Sequence, residues 1–265
     1  MTREILLTND DSYTSRGLTT VAQFLRRYGN VLSVAPKDPQ SARSMALSME
    51  DPLYVTRYAY KEAEEGLGSL SCFYMNGTPA DCAKMMANMS IERGIHPDLF
   101  VSGINHGSNA SAAALYSGTL GANKEGCLYG IPSIGLSIDT HAEDADFSAV
   151  LQFLPTILEK MFEIPPVHQT YLNVNFPDLP ASEIKGIRFA HQGNGRWEKE
   201  FQRTWDGRGR EFYWMVGQFV DYELKTTAGE ADHILLADGY ITIVPHKLDT
   251  TNYNEKERLS RLWNL

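Results

Sequence analysis

The feature that most constrains this chain lies at its start. Ile5-Leu6-Leu7-Thr8 is a continuous apolar run that stops in Asn9-Asp10-Asp11-Ser12. A short apolar run bounded by polar turn-formers reads as a buried strand running out to a loop. Leu18, Val21, Ala22 and Leu25 then recur at helical spacing between Gly17 and Arg27, and Asn30 to Ala35 reads as a second strand closed by Pro36. Strand, helix, strand over this distance is a βαβ unit, and a parallel sheet follows from it. Asp10 and Asp11 fall at the carboxyl end of the first strand, where open α/β sheets place their ligands.

The same alternation continues. Leu53–Arg57 and Ser71–Met75 read as strands of a side hairpin, joined by the acidic turn Lys61 to Gly66. Thr78-Pro79-Ala80-Asp81 is a helix start, with Thr78 as N-cap, Pro79 at the first helical position and Asp81 reaching back. This helix runs to about Asn88. Leu99–Ser102 is a strand ending in Gly103-Ile104-Asn105-His106-Gly107-Ser108-Asn109. A helix starts at Ser117-Gly118-Thr119 and runs to about Tyr129, Pro132–Ile138 is a strand, and Phe147–Phe162 is a helix with an apolar face. Tyr171–Asn175 is a further core strand. Residues 186–225 are rich in aromatics and glycine and read as extended hairpins. Asp232–Ala237 reads as a short helix, Gly239–Val244 as a strand, and Glu255–Leu265 as a terminal helix with Leu259, Leu262 and Trp263 on one side. One α/β domain over 1–265 is expected, with a core in 1–170 and the last core strands, hairpins and terminal helix in 171–265.

Composition narrows the function. A net charge of −9 argues against following a nucleic-acid backbone, which needs a basic face. No apolar run is long enough to cross a membrane, and no signal-peptide core follows Met1. The three cysteines, Cys72, Cys82 and Cys127, form no C-x-x-C pair, so disulfides and a thiolate zinc site are not expected and a reducing cytoplasm is. The fingerprints G-x-G-x-x-G after the first strand, G-x-x-x-x-G-K-[ST] and G-x-S-x-G are all absent.

Three strand-end loops resemble one another: Asn9-Asp10-Asp11, Gln40-Ser41 and Gly103-Ile104-Asn105. In a parallel sheet they share one edge. Their carboxylate, hydroxyl and amide oxygens suit Mg²⁺ or Mn²⁺ rather than zinc. Adjacent carboxylates repel, and a cation or a shared proton relieves the repulsion. The plainer reading is that Asp10 caps a turn. Ser117-Gly118-Thr119 offers free N–H groups at a helix start to a phosphate, or else is an ordinary N-cap. His106 is either an acid or a ligand, or an exposed loop histidine.

Taken in order, Leu6-Leu7-Thr8-Asn9-Asp10-Asp11, Val34-Ala35-Pro36, Gln40-Ser41, Gly77-Thr78-Pro79-Ala80-Asp81-Cys82, Pro97-Asp98, Val101 to Asn109 and Tyr116-Ser117-Gly118-Thr119 resemble the SurE family of survival-protein 5'/3'-nucleotidases. Ala237 to Ile243 is similar to the family's last core strand. The resemblance implies a Rossmann-like three-layer core with a mostly parallel sheet and a C-terminal hairpin elaboration. It implies a phosphomonoesterase acting on nucleoside 5'-monophosphates, with 3'-monophosphates and short polyphosphates within the family's range. One divalent metal per subunit is implied, Mg²⁺ or Mn²⁺, held by Asp10, Asp11, Ser41 and Asn105, with Asp10 and Asp11 also catalytic. Phosphate contacts are implied at Asn9, Gly103, Asn105, Asn109, Ser117, Gly118 and Thr119, and a homodimer or homotetramer through the hairpins. The alternative on the same fold is a nucleotide-binding sensor without turnover. Two departures stand out. Ser12 occupies a position where the family often has glycine, and Ala110-Ser111-Ala112-Ala113-Ala114 lacks the acids that many members carry, which leaves the leaving-group acid unassigned.

Overall fold

The computed structural model describes residues 2–264. Strand β1 (Arg3–Thr8), helix α1 (Arg16–Leu25) and strand β2 (Gly29–Pro36) form the expected βαβ unit, with β1 and β2 parallel. β1 shows why its run is apolar throughout. Ile5 and Leu7 enter the core on one face of the sheet and Leu6 enters the core on the other. A strand covered on both faces has no polar side to display.

Strands β3 (Val55–Lys61) and β4 (Leu70–Met75) pair antiparallel, as a hairpin should, but the hairpin is not set to the side. β4 runs parallel to β2 and extends the main sheet, because Leu70, Cys72 and Met75 are buried. β3 is left as the exposed edge. Helix α2 (Pro79–Glu92) has the expected capping box and runs beyond Asn88. Strand β5 (Leu99–His106), a short helix α3 (Ala113–Tyr116), helix α4 (Gly118–Leu128), strand β6 (Ser133–Ile138), helix α5 (Ser148–Glu163) and strand β7 (Thr170–Phe176) follow. The α3 turn was not anticipated. α1 and α5 cover one face of the sheet, and α2 and α4 the other.

Beyond β7 come β8 (Ile187–Phe189), β9 (Gly195–Glu198), β10 (Phe201–Trp205), β11 (Glu211–Met215), β12 (Gln218–Asp221), α6 (Asp232–Ala237), β13 (Ile241–Lys247) and α7 (Tyr253–Trp263). The main sheet has nine strands in the order β3-β4-β2-β1-β5-β6-β7-β13-β8. β13 is antiparallel to β7, and β8 is parallel to β13. β9 pairs with β12 and β10 with β11, which nests one hairpin inside another as expected for 186–225. α7 buries none of its described side chains, and Leu262 and Trp263 lie open. The end of that helix expected at Leu265 lies outside the described residues. Among the described residues no helix is long and apolar enough to cross a membrane, and the three cysteines are free and buried.

This topology fixes where a ligand can bind. The chain builds outward from β1 through β2 to β4, then returns to the other side of β1 with β5, β6 and β7. The direction reverses between β1 and β5, and the loops leaving two parallel neighbours there part to form a crevice.

Candidate active site

Asp10 lies at that switch point, almost wholly buried. Its backbone carbonyl accepts from Gln40 N–H at 2.7 Å, which ties the loop after β1 to the loop after β2. Its Oδ1 accepts from the Thr119 hydroxyl at 2.6 Å. Burial, then the charge of Asp11, raises its pKa from 3.8 to about 6, against the opposing hydrogen bonds from Thr119. Gly118 makes this approach sterically feasible: a Cβ there would stand 2.9 Å from both Cβ and Oδ2 of Asp10. The start of α4 therefore holds an anion, and that anion is the carboxylate of Asp10.

Asp11 turns the other way. Its Oδ2 accepts from the His106 backbone N–H at 3.1 Å and lies 3.4 Å from His106 Nδ1. The His106 ring stands edge-on to Phe147. Asn9 is buried and braces the turn, its Nδ2 donating to Ser12 O at 2.9 Å and to Ser15 Oγ at 2.8 Å. Its Oδ1 is a buried acceptor without a donor among the described residues. Ser12 has φ of +86°, so the position does require the left-handed region that glycine would fill.

The remaining expected residues divide into two groups. Ser41, Asn105, Asn109 and Ser117 line one cleft with Asp10. Asn105 Nδ2 is committed to Gly107 O at 2.7 Å, which leaves its Oδ1 as the acceptor it can offer. Asn109 is held by a buried amide network, accepting from Asn173 Nδ2 at its carbonyl and donating from its N–H to Asn175 Oδ1 and from Nδ2 to Ser137 Oγ. Ser117 lines the cleft and also caps α4, accepting from Leu120 N–H at 3.1 Å. Asn9, Asp11, Gly103, Gly118 and Thr119 do not line it. Gly103 is needed elsewhere, since a Cβ there would meet Leu136 O at 2.3 Å. Thr119 stands behind Asp10 with its hydroxyl already used.

The cleft encloses about 670 Å³, and its other walls include His141, Trp197 and Glu200, which sequence reasoning missed. His141 follows the carboxyl end of β6 and was therefore accessible to the rule that selected the other three loops. The alternating Asn173 and Asn175 in the otherwise apolar β7 were a second available signal. Trp197 and Glu200 had none, because the chain brings a distant hairpin over the sheet edge.

The residues present fit a hard divalent cation. Asp10, its carboxyl raised toward neutrality by burial and then by the charge of adjacent Asp11, shares the cleft with the Ser41 hydroxyl and the Asn105 carboxamide oxygen from separate loops, and Asp11 stands beside it outside the cleft lining. Among the described residues no three His, Cys, Asp or Glu side chains converge as a metal group, so any metal here relies on Ser and Asn oxygens.

Comparison with known proteins gives a consistent result. A family model described as survival protein SurE matches residues 5–199. The 5'-nucleotidase SurE of Phocaeicola vulgatus is 40% identical over 261 residues, 98% of this chain and 96% of that protein. That of Bacteroides fragilis is 40% identical over 263 residues, 98% and 97% of the two chains. The crystal structure of the SurE protein from Aquifex aeolicus aligns with a TM-score of 0.78 at 31% identity, over 98% of this chain and 99% of that one.

Proposed function

The chain belongs to the SurE family, and from that premise we propose that it is a divalent-metal-dependent phosphomonoesterase that hydrolyses nucleoside 5'-monophosphates to nucleoside and phosphate. The observation that carries this reading is Asp10: a carboxylate fixed by Thr119 in the cleft at the β1/β5 switch point, with its pKa raised to about 6. Asp10, Asp11, Ser41 and Asn105 would hold Mg²⁺ or Mn²⁺, one ion per subunit. When bound, such an ion supplies a Lewis acid for a phosphoryl oxygen and a source of acidified water.

The chain's own groups do the rest. One acid of the pair orients the attacking water, and Asp10 is the better placed because it lines the cleft, whereas Asp11 is turned to the His106 N–H through Oδ2. Asn109, rigid in its amide network, and Ser117 face the phosphate as neutral polar contacts. The groups are fixed before substrate arrives, so no reorganisation is needed as charge develops. Asn9, Gly103, Gly118 and Thr119 act in this reading by shaping the backbone and holding Asp10. The acidic chain and its free, buried cysteines suit work in a reducing cytoplasm. A homodimer or homotetramer formed through the β10–β11 hairpin completes the proposal.

The test is phosphate release from AMP with Mg²⁺ or Mn²⁺, with a chelator, and for Asp10→Asn. The reading expects turnover with metal and a loss of at least about 100-fold in the other two conditions. Full activity in chelator would sink the metal role, and nucleotide binding with no release under any metal would favour a sensor.

A further inference from the structure

The Asp10 cleft does not end at the phosphate-facing residues. Ser108, Ala113, His141 and Trp197 line it on one side and line a second chamber of about 520 Å³ on the other. The two together are larger than a phosphate group requires.

The second chamber has a distinct chemistry. Trp197 on β9 pairs across the strand with Phe219 on β12. Their rings meet edge to face at 5.6 Å, and the Tyr116 ring meets Trp197 in the same edge-to-face manner at 6.5 Å. Glycines let the rings settle against backbone. A Cβ at Gly195 would come within 2.2 Å of Phe219 Cζ, and one at Gly217 within 3.2 Å of Trp197 Cβ. The indole is thus a fixed, partly open aromatic surface. The polar groups around it include the carboxylates of Asp139 and Asp221, and no lysine or arginine among the described residues lines the chamber. Asp221 is itself held, accepting from Glu223 N–H at 2.8 Å and lying 3.1 Å from His233 Nε2.

An aromatic face accepts any nucleobase by stacking. Carboxylates accept hydrogen bonds from amino and hydroxyl groups and repel a further phosphate. We propose that this chamber receives the nucleoside half of the substrate, with the base stacked on Trp197 and its hydroxyl or amino donors turned to Asp139 and Asp221. The chamber thereby disfavours a second phosphate on the ribose or base that enters it. This rests on the phosphatase reading of the adjoining cleft, so its test includes a measurement independent of turnover.

Adenosine, which has no phosphate, is titrated calorimetrically into the full-length protein in chelator. The wild type binds, and Trp197→Ala weakens binding by about 5- to 150-fold, the range for one base stack. With Mn²⁺ present, the ratio of kcat/KM for AMP to that for ribose 5-phosphate falls over the same range in Trp197→Ala. Trp197→Phe restores most of it, which separates stacking from a folding defect. Asp221→Asn raises the ratio of kcat/KM for adenosine 3',5'-bisphosphate to that for AMP by about tenfold. Adenosine binding indifferent to Trp197, an AMP to ribose 5-phosphate ratio that moves less than about twofold, or a bisphosphate ratio unmoved by Asp221→Asn would each overturn the proposal. Failure to hydrolyse any phosphomonoester counts against the phosphatase reading instead, and adenosine binding still decides the chamber.

Discussion

Ser12 holds φ of +86° immediately after the acid pair, and its hydroxyl lies 2.9 Å from that of Thr14. An L-residue there is strained, while glycine would be relaxed but would lose the hydroxyl contact and some unfolded-state restriction. The terms offset, so Ser12→Gly should change stability by less than about 1 kcal/mol, whereas the β-branched Ser12→Val should lose about 2–3 kcal/mol in denaturant titration. Asp10 carries a larger conflict. Its folded pKa of about 6 lies above the usual 3.8. The folded state therefore binds the proton more tightly than the unfolded one. The contribution to stability is greatest below pH 3.8 and is lost as pH rises to about 6. In chelator at pH 7.5 the buried charge costs on the order of 3 kcal/mol at most. Asp10→Asn should then raise the melting temperature of metal-free protein by a few degrees while losing activity, with the gain vanishing toward pH 4. A lower melting temperature for the variant at pH 7.5 would contradict this account.

Helix α4 shows how an element can serve one residue. Most of it is buried, and its first turn presents Gly118 and Thr119 to Asp10 rather than to the cleft. Alanine is normally the better helix former, yet Gly118→Ala places a methyl 2.9 Å from Asp10 Oδ2 and must displace that carboxylate. The expected result is a fold that stays intact by circular dichroism while kcat/KM falls by about 100-fold, as for a misplacement of roughly 1 Å at a reacting centre. Unchanged kinetics would show that the carboxylate position is not critical. The Ser-Gly-Thr tripeptide was legible as a helix start. What its N–H groups face was not, because a cap and an anion cradle have the same sequence and differ only in what is folded against them. Asp232 illustrates the same limit. It looks like an ordinary first-turn acid of α6, yet it is wholly buried and accepts from the N–H groups of Ser111, Gly193 and His233.

At the scale of the whole molecule, the β10–β11 hairpin is conspicuous for what it leaves uncovered. Every residue of β11 is exposed, with Phe212 and Trp214 edge to face on one side of the strand. A two-stranded ribbon with open aromatics is marginal in water, and such a patch normally meets a partner. The wild type should run as a dimer or tetramer in size-exclusion chromatography with light scattering, and Phe212→Lys with Trp214→Lys should shift it to a smaller species; a monomeric wild type would remove the case for this surface. The sequence by itself determined the parallel α/β core, since runs buried on both faces, helical spacing and capping signals are local and Ile5 to Thr8 has no other stable home. It also determined that Asp10, Ser41 and Asn105 leave strand ends on one edge, because parallel connections permit nothing else. Only the tertiary structure decided that Asp10 is gripped by α4, that Asp11 turns to His106, and that Trp197 and Glu200 wall the cleft. Those outcomes depend on which distant segments meet, and burial, repulsion and steric fit between such segments have no signature along the chain.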